Sequence, residues 1–158
     1  MITVPLILLF LFVLNLGTAF GAGLYEMRIV LPLWFRRSAD GRYAINHTTM
    51  QQMDVGRKFW GMVTTLPLTL LTLASVVVAW QWQGSAHGWW LAATVVVLIE
   101  RVGTFAFFIP TAIRMASSDV KPLGDVDRVV RRWVWLNYLR NLLTIVGFGL
   151  GLLAVASV

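Results

Sequence analysis

The sequence predicts an all-α fold, an integral membrane four-helix bundle with both termini on the outer side of the membrane. Of the 158 residues, 58% are hydrophobic and only 13% are charged, and the mean hydropathy is +0.76. Water-soluble domains carry about 25% charged residues, so this composition indicates a chain that lies in a bilayer. Each of four apolar stretches approaches the roughly 20 residues that an α-helix needs to cross the hydrocarbon. These predicted spans, which form a single transmembrane domain over residues 1–158, are residues 2–25, 60–80, 89–110 and 133–157.

The first stretch is predicted to be a retained span rather than a cleaved signal peptide. Residues 1–24 contain no Lys or Arg, whereas a secretory signal begins with positive residues and has an apolar core of about 7–15 residues. Pro32 is expected to limit how far this helix runs, because proline cannot donate a backbone hydrogen bond.

Proline positions and composition predict the remaining elements. Pro67 lies inside the second stretch, where a kink is the usual result in a membrane, and Pro110 lies near the end of the third. The polar segment 38–56 has no sustained periodicity, and its structure is left open. Residues 125–132 are expected to form a short surface helix that leads into the fourth span.

The Lys and Arg residues predict the orientation. Six of the thirteen lie in the first loop, about residues 25–59, and five lie in the third, about residues 111–132. The second loop, residues 81–88, and both termini have none. Because loops rich in Lys and Arg stay in the cytoplasm, the first and third loops are predicted to be inside, in the inner membrane of the cell. The net charge of +6 then indicates topology and contact with anionic membrane lipids, and not binding of nucleic acid.

Small and aromatic residues indicate how the spans pack. Gly17 and Gly21 form a small-residue pair on the first span, as Gly147 and Gly151 do on the fourth, and such pairs let helix backbones approach closely. We expect these glycines to serve packing within the bundle rather than a homodimer contact. Most Trp residues are expected to anchor the chain at the membrane interfaces. They are Trp34, Trp60, Trp133 and Trp135 at the inner ends, and Trp80, Trp82, Trp89 and Trp90 around the outer loop.

Polar residues inside the spans predict a buried cluster. Counted from the inner helix ends at 1.5 Å per residue, Glu100 lies about 15 Å deep and Arg140 about 10 Å deep. Because an unpaired charge at this depth costs several kcal/mol, Glu26 and Glu100 should pair with Arg101, Arg140 or Arg28. Glu100 and Arg101 are neighbours whose side chains diverge by about 100°. A polar stripe on the fourth span, expected to face the interior, consists of Asn137, Arg140, Asn141 and Thr144.

The cluster allows two interpretations. In the first, ion pairs and amides only fix the helix register. In the second, they form the floor of a pocket: Glu26 or Glu100 acts as the catalytic general base on a lipid-soluble phenol or carbonyl compound. Arg140 and Asn141 would then hold the developing oxyanion.

No cofactor and no metal is predicted. The chain has no Cys, which excludes disulfides, Fe–S clusters and thiolate-bound metals. His47 and His87 lie in loops on opposite sides of the membrane, so about 30 Å of hydrocarbon prevents one chain from using both as haem ligands. A metal site at His47 with Asp54 or Glu26 lacks a recognised spacing, and a solvated loop His is the more ordinary interpretation.

Several segments of the chain resemble a known family. They are Gly23-Leu24-Tyr25-Glu26, Pro32-Leu33-Trp34, Arg57-Lys58-Phe59-Trp60, Phe107-Phe108-Ile109-Pro110 and Trp133-Val134-Trp135-Leu136-Asn137-Tyr138-Leu139-Arg140. Together they are similar to small bacterial four-helix membrane proteins grouped with the anthrone-oxygenase-like proteins. The resemblance implies cofactor-free oxygenation of anthrones to anthraquinones, the activity associated with fungal relatives. Carried over to this chain, it implies site residues at Tyr25, Glu26, Arg57, Trp60, Pro110, Asn137 and Arg140.

Two classes of function therefore remain open. The first is an enzyme or binder of a hydrophobic, lipid-soluble small molecule, with Glu26 and Glu100 as the catalytic residues. The second is an auxiliary or structural subunit of a larger membrane complex or a homo-oligomer. For the first class, the predicted substrate-binding residues are Tyr25, Arg57, Trp60, Arg101, Asn137, Arg140 and Asn141.

Overall fold

The structure, a computed structural model, describes residues 3–117 and 126–158. Within these residues, four helices are long and apolar enough to cross a membrane. The all-α, four-helix, multi-pass membrane fold is thereby confirmed, while the side on which the termini lie stays a prediction. The long helices are α1 (Val4–Trp34), α3 (Gly56–Gln81), α4 (His87–Ala116) and α5 (Val126–Ala156), and a short helix, α2 (His47–Met53), precedes the second of them.

The long helices extend beyond the predicted spans. Helix α4 continues past Pro110 to Ala116, and α5 begins at Val126, so the expected separate surface helix is instead the first turns of α5. Residues 126–146 contain neither Gly nor Pro to interrupt the helix. Within this part, Arg131 Nε donates to Asp127 Oδ2 at 2.6 Å across one helical turn, a pair that supports continuous helix.

Three of the long helices contain a π-helical segment that ends two residues before a proline. Proline lacks the N–H of a regular helical turn, and its ring collides with the carbonyl four residues earlier. A wider turn just before the proline moves this carbonyl aside, so the helix continues instead of ending. The segments are Glu26–Val30 before Pro32, Gly56–Thr65 before Pro67 and Thr104–Phe108 before Pro110.

A neighbouring helix satisfies one carbonyl that a proline leaves without its usual donor. Pro67 has no N–H for the carbonyl of Val63, and Asn15 Nδ2 on α1 donates to this carbonyl at 3.1 Å. In hydrocarbon an unsatisfied backbone carbonyl is costly, and polar side chains on adjacent helices are a known remedy. The Asn15 amide therefore joins α1 to the widened part of α3.

Glycines allow the helices to approach closely. A Cβ added at Gly147 on α5 would lie 2.7 Å from Val97 Cγ2 on α4, and one added at Gly151 would lie 2.7 Å from Val13 Cγ2 on α1. A Cβ at Gly17 would lie 3.1 Å from the Phe148 ring. These three glycines serve packing within the bundle, as predicted.

The end of the bundle that carries most of the basic residues, here called the basic end, is covered by a β-hairpin and α2. Strand β1 (Phe35–Arg37) pairs antiparallel with β2 (Tyr43–Ile45). The Tyr43 N–H donates to Asp127 Oδ1 at 2.9 Å, which fastens the hairpin to α5. His47, expected to be a solvated loop residue, instead donates from Nδ1 to the Met115 carbonyl at 2.8 Å and fastens α2 to α4. The sequence pattern of residues 38–56 predicts neither this hairpin nor α2.

Three Trp residues are part of the core rather than interfacial anchors. Trp34, Trp90 and Trp133 are buried in the folded chain. Trp133 contacts the Phe108 ring edge-on, with 5.1 Å between centroids, and Trp90 lies against Trp82 at 6.1 Å. Aromatic composition alone does not distinguish a ring that faces another helix from one that faces lipid headgroups, so the expectation of anchors was wrong for these residues.

Candidate functional site

A cavity of about 320 Å³ lies between α1 and α3 in the half of the bundle near the basic end. Three of the predicted site residues, Tyr25, Glu26 and Trp60, line it. Glu26 contributes the only carboxylate of the lining, and the other side chains are apolar or aromatic. The lining residues are Ala22, Tyr25, Glu26, Val30, Val55, Phe59 and Trp60.

Glu26 forms an ion pair with Arg140 at the edge of this cavity. Arg140 Nη2 donates to Glu26 Oε2 at 2.5 Å, and the two side chains are 13% and 4% exposed. The expectation that Glu26 finds a basic partner is confirmed, and the partner comes from α5. Within the part of the chain that the structure describes, this is the one hydrogen bond to the Glu26 carboxylate.

Two aromatic rings hold the Arg140 guanidinium. Its central carbon lies 5.0 Å from the centroid of the Trp60 ring and 4.6 Å from that of the Phe108 ring. Cations at these distances from a ring face are attracted by its quadrupole, more strongly when water is excluded. Arg140 is therefore fixed by one carboxylate and two rings.

The three π-helical segments position the groups around Arg140. Glu26 is the first residue of the α1 segment, Trp60 lies within the α3 segment, and Phe108 is the last residue of the α4 segment. Widened turns of this kind occur often at functional sites, because they aim side chains in directions that a regular helix does not offer. The prolines that cause the wide turns thus also shape the site.

Glu100, the other predicted catalytic acid, has a different environment. Arg101 donates from Nε to Glu100 Oε2 at 2.5 Å and from Nη2 to Oε1 at 2.7 Å, and Thr104 Oγ1 donates to Oε1 at 2.9 Å. The carboxylate is buried and does not line the cavity. Although Glu100 and Arg101 diverge along the helix, the long Arg side chain folds back to its neighbour. Both side chains are buried in the folded chain.

The predicted polar stripe on α5 does face the bundle interior. Asn137, Asn141 and Thr144 are buried. Asn141 Nδ2 contacts the Met27 sulfur on α1 and packs over Gly23, where a Cβ would overlap its side chain. Asn137 Nδ2 donates to the carbonyl of Trp133 within the same helix at 3.1 Å. These amides lie near Arg140 in sequence, but they do not line the cavity.

Arg57 lies outside the cavity. Its side chain is 88% exposed and donates from Nε to Asp54 Oδ2 at 2.9 Å. The structure thus brings together Tyr25, Glu26, Trp60 and Arg140, and leaves Arg57 at the surface and Arg101 in the core. Phe108 contacts Arg140 but was not among the predicted site residues. The sequence feature from which Phe108 could have been predicted is the aromatic run that precedes Pro110.

The family model described as anthrone oxygenase matches residues 50–150, which is well over half of the chain. The chain belongs to the anthrone oxygenase family. No curated protein and no solved structure matches the chain.

The matched range contains three of the residues that meet at the site. Trp60, Phe108 and Arg140 lie within residues 50–150, whereas Tyr25 and Glu26 precede them. The place of Tyr25 and Glu26 in the site therefore rests on their contacts in the structure. In the part of the chain that is described, no group of three His, Asp or Glu residues is arranged to hold a metal ion.

Proposed function

We propose that the protein binds a planar, lipid-soluble aromatic compound in the cavity between α1 and α3 and removes a proton from it with Glu26. In an anthrone oxygenase family member, this proton transfer is the first step of anthrone oxygenation. The observation that carries the proposal is the Glu26 carboxylate, which lines an otherwise apolar cavity and is paired with Arg140.

Hydrogen bonding favours Glu26 over Glu100 as the general base. A general base must reach the proton that it abstracts. The Glu100 carboxylate accepts three hydrogen bonds, which engage most of its lone pairs, and it lies away from the cavity. The Glu26 carboxylate accepts a single described hydrogen bond, on Oε2, and it borders the space that a ligand would occupy. We assign the catalytic role to Glu26 and a structural role to Glu100.

Arg140 makes proton transfer feasible in a medium of low dielectric constant. Before transfer, its guanidinium faces the Glu26 carboxylate; after transfer, Glu26 is neutral and the guanidinium faces the new substrate anion. The number of charges in the site does not change, so no isolated charge is created in the bilayer. Fixed cations next to developing negative charge are a common and large source of catalysis.

The complete reaction is balanced with dioxygen as the oxidant. The methylene carbon of the anthrone loses one proton to Glu26, and the electron pair of that bond stays on the conjugated enolate. Dioxygen adds to this carbon, and the proton returns to give a hydroperoxide. Loss of the second hydrogen of the carbon together with the terminal OH releases water and leaves the carbonyl of the anthraquinone. Dioxygen has then accepted four electrons from the former methylene group.

Oxygen uptake in lipid nanodiscs tests this proposal. The purified protein receives an anthrone, and anthraquinone absorbance is followed together with oxygen consumption, with empty nanodiscs as the measure of autoxidation. Glu26→Gln should lower the enzymatic rate by about 10²–10⁴-fold, because an amide cannot accept the proton. Asp40→Asn neutralises an exposed carboxylate on the hairpin and should keep the wild-type rate. Full turnover by a folded Glu26→Gln protein would contradict the proposal.

The alternative proposal, an auxiliary subunit of a larger membrane complex, has less support in the structure. Three of the four glycines in the small-residue pairs pack inside the bundle and are not available for association with another protein. A subunit without chemistry would tolerate Glu26→Gln in cells and would purify in mild detergent with a stable partner. Absence of turnover together with such a partner would favour this alternative.

A further inference from the structure

We propose that the cavity takes its ligand directly from the hydrocarbon of the bilayer, and in neutral form: a membrane-dissolved hydroxy-aromatic compound that ionises only inside the site. This inference rests on the proposed function for the class of ligand, but it concerns entry and binding and does not depend on turnover.

The mouth of the cavity lies at hydrocarbon depth. Tyr25 on α1 is 60% exposed and Phe59 on α3 is 36% exposed, and both line the cavity. The midpoint of Val4–Trp34 is residue 19. Tyr25 is six residues farther along, or about 9 Å at 1.5 Å per residue, whereas half of the hydrocarbon thickness is about 15 Å. The exposed ring of Tyr25 therefore faces acyl chains rather than water.

A hydrophobic cluster lies between the cavity and the hairpin and α2 at the basic end. Val30, a residue of the cavity lining, belongs to this cluster, which continues beneath the hairpin and α2. A ligand that came from the aqueous side would have to part these packed side chains. The other buried members of the cluster are Leu31, Trp34, Phe35, Met50, Phe108, Met115, Val130 and Trp133.

The charges in the site select a neutral ligand. Glu26 and Arg140 already compensate each other, so a ligand that arrived as an anion would add a third charge without a partner. Buried charges that lack a partner are strongly disfavoured. A neutral phenol or enol adds no charge on entry. When it gives its proton to Glu26, its own anion replaces the Glu26 carboxylate as the negative group that Arg140 faces. The Trp60 ring and the edge-on Phe59 ring, 5.5 Å apart, offer an aromatic surface for its planar body.

Stopped-flow binding in proteoliposomes tests the route of entry. The probes are 1,8-dihydroxyanthraquinone, which is neutral and cannot react further, and a sulfonated anthraquinone, which is permanently charged. Binding is followed by the part of the Trp fluorescence quenching that disappears in Trp60→Phe. The partition coefficient of the neutral probe gives its aqueous concentration. If the ligand enters from the bilayer, the association rate constant referred to this aqueous concentration should exceed the diffusion limit of about 10⁹–10¹⁰ M⁻¹s⁻¹, which no route through water can do. The sulfonated probe should not bind.

A pair of variants tests whether this cavity is the binding site. Ala22→Phe fills the cavity and should weaken binding of the neutral probe at least tenfold. Leu24→Phe adds a similar ring to a lipid-facing position of the same helix and should not change binding.

An association rate constant below the diffusion limit, equal binding of the sulfonated probe, or no Trp60-dependent quenching by either probe would each overturn the inference. Association faster than that limit without oxygen uptake would support the route of entry and would contradict only the proposed chemistry.

Discussion

A single side chain, Arg140 on α5, contacts the three other long helices. It extends from α5, pairs with Glu26 on α1, and lies against Trp60 on α3 and Phe108 on α4. A bundle in lipid has no hydrophobic force between its helices, so polar contacts and close packing hold it together. Arg140 is therefore a structural link as well as a part of the candidate site.

The loss of Arg140 should cost far more stability than the loss of an exposed arginine. Arg140→Ala leaves the Glu26 carboxylate buried without a partner, which destabilises proteins by about 3–5 kcal/mol. Arg57→Ala, the matched control, removes a solvent-exposed pair with Asp54 that is worth about 0–1 kcal/mol. Thermal unfolding in detergent compares the two variants. Equal shifts in Tm would contradict the assignment of a buried ion pair.

Sequence spacing predicted the residues of the buried cluster better than their pairing. Helical periodicity places Asn137, Asn141 and Thr144 on one face, and the structure confirms that face as buried. Arg101 was one of three candidate partners for Glu100, and the sequence did not distinguish among them, since a helical wheel gives the direction of Cβ but not the reach of a long side chain. Likewise, no sequence rule says which of two carboxylates borders a cavity.

At the scale of elements, the four helices were predictable and their ends were not. In water a proline is a good indication of a helix end, but here α1, α3 and α4 continue beyond Pro32, Pro67 and Pro110 through wide turns. Hydrogen bonds from other helices, such as that of Asn15, make this possible, and such contacts between distant residues are invisible in a local pattern. The hairpin was missed for a similar reason, because its three-residue strands are held by contacts to α5.

The contact between α4 and α5 predicts opposite effects for two glycines of the same helix. Gly147→Ala places a methyl group against Val97 at a distance that forces a shift, and overpacking of this kind costs about 1–3 kcal/mol. Gly149→Ala has open space and should be neutral or stabilising by up to about 1 kcal/mol, since alanine favours helix.

The free energy of unfolding in mixed micelles, measured for both variants, tests this difference. If Gly149→Ala were the more damaging change, the helix contact described here would be wrong.

For the whole molecule, the distribution of charge predicts the orientation in the membrane. Eleven of the thirteen Lys and Arg residues belong to the first and third loops of the sequence, and helices of up to 31 residues extend beyond about 30 Å of hydrocarbon. We therefore predict that the basic end lies in the headgroup layer of the cytoplasmic leaflet and that both termini are outside.

Reporter fusions test this orientation. A periplasmic reporter at the C-terminus should be active, and the same reporter inserted after Asp40 in the hairpin should be inactive. A C-terminal fusion that is active only with a cytoplasmic reporter would reverse the topology and place the cavity in the other leaflet.

The wide turns before the prolines have a consequence for insertions and deletions. Each residue advances a helix by about 100°, so an additional residue in one turn rotates everything that follows relative to what precedes it. In α1 the wide turn begins at Glu26, so it sets the direction in which the buried residues that follow it, Val30, Leu31 and Trp34, face. A proline and an inserted residue must then be gained or lost together during evolution. Deleting Arg28 along with Pro32→Ala should preserve the bundle better than the deletion alone.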